Sequence, residues 1–267
     1  MLRADDLTFS YHRNGPAVLD GVSFTEEPGR LVAVLGANGS GKSTLFRCLL
    51  GFERNYSGGI FLDGTEIRQL PRKVLASRMA YVPQAETSVF NYPVFDTVLM
   101  GTTGTLPAFA SPAEEQTERA ESAIRFLGIG HLADRGVNEI SGGERQLTLL
   151  ARAIAQQAKI LILDEPTANL DYGNQQLVLR NARRMAREGY TILFSTHDPA
   201  HALQYADRVM VIRDRKVAAE GETSDVLTED MIRSVYGLET RIVEIPVGTG
   251  TVKSCVPVDG GRQETGE

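Results

Sequence analysis

The run Gly36-Ala37-Asn38-Gly39-Ser40-Gly41-Lys42-Ser43, followed by Thr44, has the residue types to hold a polyphosphate. It fits G-x-x-x-x-G-K-[ST] at every fixed position. Its glycines let successive backbone N–H groups converge on one anion without Cβ clashes. A helix starting at the loop adds its N-terminal partial positive charge. Lys42 supplies a mobile full charge for the β and γ phosphates, and the Ser43 hydroxyl can ligate Mg²⁺. The structural alternative is a glycine-rich turn between a strand and a helix. A second anion site is Ser141-Gly142-Gly143, where a serine and two glycines open a helix. Ser141 and Glu144 also fit a capping box, which accounts for the same residues without a ligand. Two such sites in one chain suggest one nucleotide touched twice.

Asp164-Glu165 follows the apolar run Ile160-Leu161-Ile162-Leu163. Adjacent carboxylates after a buried strand are costly if idle. Asp164 is placed to hold Mg²⁺, and Glu165 to orient or deprotonate a water attacking the γ-phosphate. The alternative is a solvated acidic turn. His197 comes just past another apolar run, Thr191 to Thr196, where open α/β sheets bind ligands. His201 would share a helix face with His197, but no third metal ligand is evident. His131 reads as a solvent-facing loop residue without ligand spacing. Gln84, alone after a strand, carries no signal of its own. Tyr11 is a candidate for stacking on a base; a tyrosine on a half-buried strand is usually a packing residue.

The elements that must position these residues are legible. Leu2 to Tyr11 reads as a strand with Leu7, Phe9 and Tyr11 on one side. Val18 to Phe24 is a second strand, expected to pair antiparallel with the first beside the main sheet. Leu31 to Leu35 is a buried strand leading into the phosphate loop. Ile60-Phe61-Leu62 before Asp63-Gly64 predicts a hairpin. Leu70 to Ser77 reads as helical and Met79 to Pro83 as a strand. Asn91 to Phe95 reads as irregular and Gly101 to Ala110 as a loop. Ser111, Pro112 and Glu114 predict a capped helix that ends at Gly128. Further helices are expected from Ser141 to about Gln157, Tyr172 to Glu188 and Asp225 to Val235. Val209 to Ile212 and Lys216 to Ala219 form a strand pair around Asp214-Arg215. Arg241 to Val247 and Thr251 to Val258 read as a terminal hairpin, and the last residues as disordered.

Composition narrows the partners. The net charge of −6 argues against nucleic acid. Cys48 and Cys255 are the two cysteines and have no metal-ligand spacing, so a reducing compartment is expected. Cys48 reads as a small core residue. The N-terminus has no signal-peptide pattern, and no stretch reaches the ~18 apolar residues of a membrane span. Any service to a membrane is expected from its surface, through a partner.

Phosphate loop, Gln84, Ser141-Gly142-Gly143-Glu144, Asp164-Glu165, Ala168-Asn169-Leu170-Asp171 and His197 occur in one order. This constellation resembles the nucleotide-binding subunit of an ABC transporter over about residues 2 to 240. The resemblance implies an α/β fold: a P-loop NTPase core with a mostly parallel sheet, an N-terminal antiparallel β subdomain and an inserted α-helical subdomain at about 88–158. Residues 1–240 would form the ATPase domain, and 241–267 the hairpin and tail. It implies ATP and Mg²⁺ as cofactors, bound between two copies of the chain head to tail, the phosphate loop of one facing the Ser141 helix of the other. Within that resemblance, Tyr11 matches the adenine-stacking aromatic and Gln84 the sensor of Mg²⁺ and attacking water. Asp164 matches the metal-holding aspartate, Glu165 the catalytic glutamate, Asp171 the residue that communicates across the dimer, and His197 the γ-phosphate switch.

Ile140 and Glu144 depart from the commonest signature, which has Leu and Gln there. Glu144, turned back onto its own helix cap, is not expected to contact ATP. The segment from Gln84 to Ser141 resembles the helical subdomain that docks cytoplasmic helices of membrane permease subunits; Asn91 to Gly101 is the candidate groove. Phe95 and Tyr92 are equally readable as subdomain core. Val98 to Gly101 and Leu170 to Gln175 resemble the branch serving binding-protein-dependent importers of iron-siderophore, haem, cobalamin and related metal or oxyanion complexes. An extracytoplasmic substrate-binding protein would then be an indirect partner, with the chain peripheral on the cytoplasmic face of the cell membrane. The alternatives are another cargo, such as manganese, zinc or molybdate, or a soluble ABC ATPase acting on ribosomes or nucleic acid.

Overall fold

Two sheets of different construction share the work of holding the glycine-rich loop. The computed structural model describes residues 1–13, 15–84, 89–106, 111–248 and 250–258. The tail read as disordered, 259–267, lies outside these. The first sheet is antiparallel: β1 (Leu2–Phe9) lies between β2 (Leu19–Glu26) and β4 (Ser57–Leu62), with short β5 (Thr65–Glu66) beyond β4. Asp6 sits at φ 49°, and the register shifts there. That bulge switches the buried phase from Leu2 and Ala4 to Leu7 and Phe9.

The second sheet has six strands in the order β10-β9-β3-β8-β7-β6. Its parallel strands are β3 (Leu31–Leu35), β6 (Met79–Val82), β7 (Ile160–Leu163), β8 (Thr191–Thr196) and β9 (Arg208–Arg213), with β10 (Lys216–Glu222) antiparallel at the edge. β3, β7 and β8 are buried at every residue. Continuous apolar runs are what a parallel sheet covered on both faces requires. One apolar core fills the space between the sheets; another lies under the helices on the far face.

The helices are α1 (Lys42–Leu49), α2 (Arg72–Arg78), α3 (Val94–Leu99), α4 (Glu114–Leu127), α5 (Gly142–Ala155), α6 (Tyr172–Arg187), α7 (Pro199–Tyr205), α8 (Thr223–Val226) and α9 (Glu229–Tyr236). The α3, α4 and α5 helices pack together as a helical group inserted between β6 and β7. A ribbon of β11 (Thr240–Val247) and β12 (Gly250–Pro257) closes the chain, β12 lying along α7.

Four local expectations change. The start of α4 is not capped by Ser111 and Glu114. Ala113 is extended and the helix starts at Glu114, so the Gln116 Oε1 accepts from the Ala113 N–H at 3.0 Å. The predicted helix from Asp225 to Val235 is two helices, because the Thr228 hydroxyl accepts from the Met231 N–H and starts a new one. Val94 and Phe95, read as irregular, open α3 after Pro93, which stands at its N-cap position. Part of the predicted loop after it, Met100–Thr105, winds as a 3₁₀ helix.

Candidate nucleotide site

The glycine-rich loop leaves the end of β3 and enters α1. A side chain at Gly36 would put its Cβ 2.5 Å from the Ile212 carbonyl oxygen and from Ser40 Oγ, so only glycine fits. Gly41 takes φ 107°, a left-handed conformation that favours glycine. Lys42 is buried, and its Nζ donates to the carbonyls of Gly36 at 2.8 Å and Ala37 at 3.1 Å. Burial pulls its pKa down, opposed by the carboxylates of Glu165 and Asp164. Asn38 and Gly39 are exposed at the turn of the loop. The Ser40 hydroxyl is buried and has no hydrogen-bond partner among the described residues. A cradle closed to side chains, with a buried ammonium and an orphaned hydroxyl, fits a phosphate chain.

Asp164 is the hub at the ends of the neighbouring strands. Its Oδ1 accepts from Ser43 Oγ at 3.1 Å and from Ser195 Oγ at 2.7 Å. Tyr81 directs its hydroxyl at Oδ2, at 3.5 Å. The Ser195 hydroxyl in turn accepts from the Glu165 N–H at 2.8 Å. Glu165 sits at φ 43°, a strained conformation for a side chain-bearing residue. It turns the carboxylate toward His197, whose Nδ1 lies 3.9 Å from Glu165 Oε1. Gln84 follows β6, two residues beyond the Val82 carbonyl that accepts from the Asp164 N–H at 3.0 Å. Tyr11 is 53 % exposed; its hydroxyl pairs with Thr44 Oγ1 at 3.0 Å and its ring meets Phe9 edge-on. The hydroxyl contact sets the ring beside the first turn of α1.

Ser141-Gly142-Gly143 and Asp171 form a second cluster. The Ser141 hydroxyl accepts from the Glu144 N–H at 3.3 Å, and Glu144 Oε2 accepts from the Ser141 N–H at 2.8 Å. Glu144 is therefore turned onto its own cap, as its spacing predicts. Asp171 caps α6, accepting from the Asn174 N–H at 2.9 Å and from Asn174 Nδ2 at 2.8 Å. This fixes Asn174 over Gly143, where a Cβ would come within 2.2 Å of the Asn174 side chain. Among the described residues, no hydrogen bond or ion pair joins the Ser141 cluster to residues 36–44. His131 is exposed, as expected. His201 is buried beside Asp198, 3.5 Å from Oδ2, and no group of three metal-ligating side chains occurs among the described residues.

Sequence patterning missed Ser195, Asn174 and Tyr81. Ser195 sits in a strand buried throughout, where a hydroxyl gives no periodic signal. Asn174 carries a single weak clue, its place three residues after an aspartate that can cap a helix.

Together, the fold and the first cluster define a P-loop nucleotide-binding protein. The model of the ABC transporter family matches residues 19–168. The chain is 38 % identical over 258 residues to the hemin import ATP-binding protein of Bordetella pertussis, spanning 93 % of this chain and 97 % of that one. It is 32 % identical over 238 residues to the manganese transport system ATP-binding protein of Synechocystis, spanning 88 % and 90 %. In structure it resembles an ABC transporter of the metal-chelate type in an inward-facing conformation, with TM-score 0.84, 32 % identity and coverage of 96 % and 97 %. This chain belongs to the ABC transporter family, as an ATP-binding subunit, and it is an ATPase.

Proposed function

We propose that this chain powers uptake of a metal chelate, of the haem or iron-siderophore kind, through a separate membrane permease, from the cytoplasmic face of the membrane. The names of its relatives support import, and they divide between hemin, iron chelate and manganese. No helix among the described residues is long and apolar enough to cross a membrane. An extracytoplasmic binding protein would deliver the cargo.

The observation that carries the chemistry is the Ser43–Asp164–Ser195–Glu165 chain of hydrogen bonds at the phosphate loop. Ser43, Asp164 and Gln84 would hold Mg²⁺. The ion would neutralise charge developing on the γ-phosphate. Lys42 leaves the loop carbonyls to pair with the phosphates, and the N–H groups of residues 36–44 surround them. Glu165 orients the attacking water and takes its proton, and His197 holds the γ-phosphate side. Tyr11 stacks on adenine. The Ser141-Gly142-Gly143 cluster, pinned through Asn174 by Asp171, faces the γ-phosphate of a second copy. That reading gives both anion sites one ligand.

Permease docking is assigned to Asn91–Gly101 and its surroundings, where Phe90, Tyr92 and Met100 are 63 %, 44 % and 43 % exposed. Replacing Glu165→Gln tests the core of the proposal. Turnover should fall by more than about a hundredfold, while ATP drives a dimer visible by size-exclusion chromatography with light scattering. Wild-type hydrolysis by this variant would remove Glu165 as base.

A further inference from the structure

A second histidine, His201, stands four residues after His197. The fold separates the two. His197 precedes α7 and is exposed, whereas His201 lies in the first turn of α7 and is 6 % exposed. The nucleotide site uses His197, and no group of three metal-ligating side chains occurs among the described residues, so neither role accounts for His201. A buried imidazole is costly where an aliphatic side chain would pack, and its polar partners carry its meaning.

Those partners are the residues on either side of His197. The Asp198 N–H donates to Thr196 Oγ1 at 3.1 Å. The Thr196 hydroxyl faces His201 Nδ1 at 3.5 Å, and His201 Nε2 lies 3.5 Å from Asp198 Oδ2. Asp198 Oδ1 is held separately, accepting from the Ala200 N–H at 2.8 Å. One tautomer closes the circuit: the Thr196 O–H donates to a bare Nδ1, and the Nε2–H donates to Asp198. Burial lowers the His201 pKa against the pull of Asp198, and His197 adds to the fall, so the imidazole is held neutral.

Successive strand residues point to opposite faces, which divides the end of β8. Ser195 reaches Asp164 at 2.7 Å, and Thr196 reaches His201. His197 comes next. Among the described residues its side chain has Glu165 Oε1 at 3.9 Å and no hydrogen bond, so its aim is set by the backbone around it.

We infer that His201 is a positioning residue for ATP hydrolysis: joined to Thr196 and Asp198, it fixes the turn that aims His197 at the γ-phosphate. The inference rests on the reading of His197 given above. A reacting group displaced by about 1 Å can cost about a hundredfold in rate, so a buried brace beneath an exposed histidine matters to turnover. His201 acts only through His197, and its loss should change kcat while leaving nucleotide binding alone.

The test compares kcat and KM for ATP of the purified full-length chain carrying single and paired substitutions. His201→Leu should lower kcat by about fivefold or more with KM within about twofold. His201→Gln keeps a donor for Asp198 and should stay within about threefold of wild type. His197→Ala should lower kcat by more than about tenfold, and adding His201→Leu to it should cost less than about twofold more. If His201→Leu does not fold, Thr196→Val breaks the same circuit and gives the same pair of readings. Losses that multiply in the double variant, a loss as large with Gln as with Leu, or wild-type kcat in both His201→Leu and Thr196→Val would overturn the inference and leave His197 as assigned. Wild-type kcat in His197→Ala would overturn the reading of His197 as well.

Discussion

Ser195 holds Asp164 and Glu165 at once, donating to the first and accepting from the second. Replacing it with alanine leaves the Glu165 N–H without its acceptor and Asp164 without its shortest hydrogen bond. An orphaned buried polar group costs about 1–3 kcal/mol. In a chain of this size that lowers Tm by about 2–4 °C per kcal/mol. Because Glu165 is held at a positive φ, its carboxylate also loses aim. Ser195→Ala should thus cut kcat by about tenfold or more with KM for ATP little changed; an unaltered kcat would make Ser195 purely structural. Tyr11 separates the same way from its neighbours. The residue is about half exposed, and its hydroxyl is spent on Thr44. Tyr11→Ala should weaken ATP binding by about 1–2 kcal/mol, and Tyr11→Phe by much less, in a titration with a fluorescent ATP analogue. Equal affinity in wild type and Tyr11→Ala would return Tyr11 to a packing role.

Among the elements, α5 carries the sharpest local device. Glu144 is held below the usual carboxylate range, first by the Ser141 N–H and then by the Ser141 hydroxyl. A depressed carboxylate stabilises the fold above its unfolded value of 4.5, and that contribution is lost as pH falls through the folded value. Glu144→Ala should cost about 1 kcal/mol at pH 7, and the gap from wild type should close as the melt is repeated below pH 4. ATP affinity should stay within about twofold. A larger change would place the Glu144 carboxylate at the nucleotide. This cap was legible because Ser and Glu three apart have a single common use at a helix start. The buried strands were legible for a similar reason, since uninterrupted runs such as Ile160–Leu163 suit a sheet covered on both faces. The start of α4 was not, since Ser111 and Pro112 match a helix entry that the extended Ala113 postpones.

At the scale of the whole molecule, the two sheets are tied by an ion pair placed where neither partner is well solvated. Glu26, at the end of β2, is 0 % exposed; its Oε2 accepts from Arg208 Nε of β9 at 3.0 Å, and its Oε1 has no partner among the described residues. Burial raises its pKa to about 7, against the pull of Arg208, with Glu220 adding to the rise and Arg30 opposing it. Glu222 lies 3.7 Å from Arg208, so the guanidinium has a second acid. The unfolded chain ionises Glu26 near 4.5 and the folded chain near 7, so between those values the folded state binds the proton more tightly. Stability then falls as pH rises across that window, by about 3 kcal/mol in all, since each pH unit corresponds to about 1.4 kcal/mol. Glutamine keeps an oxygen for Arg208 and has no proton to lose. Glu26→Gln should therefore match wild type near pH 5 and exceed it near pH 8, where Tm should stand several degrees higher. Calorimetric melts of both chains at intervals from pH 5 to 8 measure this directly. Parallel curves would mean that Glu26 is ionised throughout and that Arg208 fully offsets its burial.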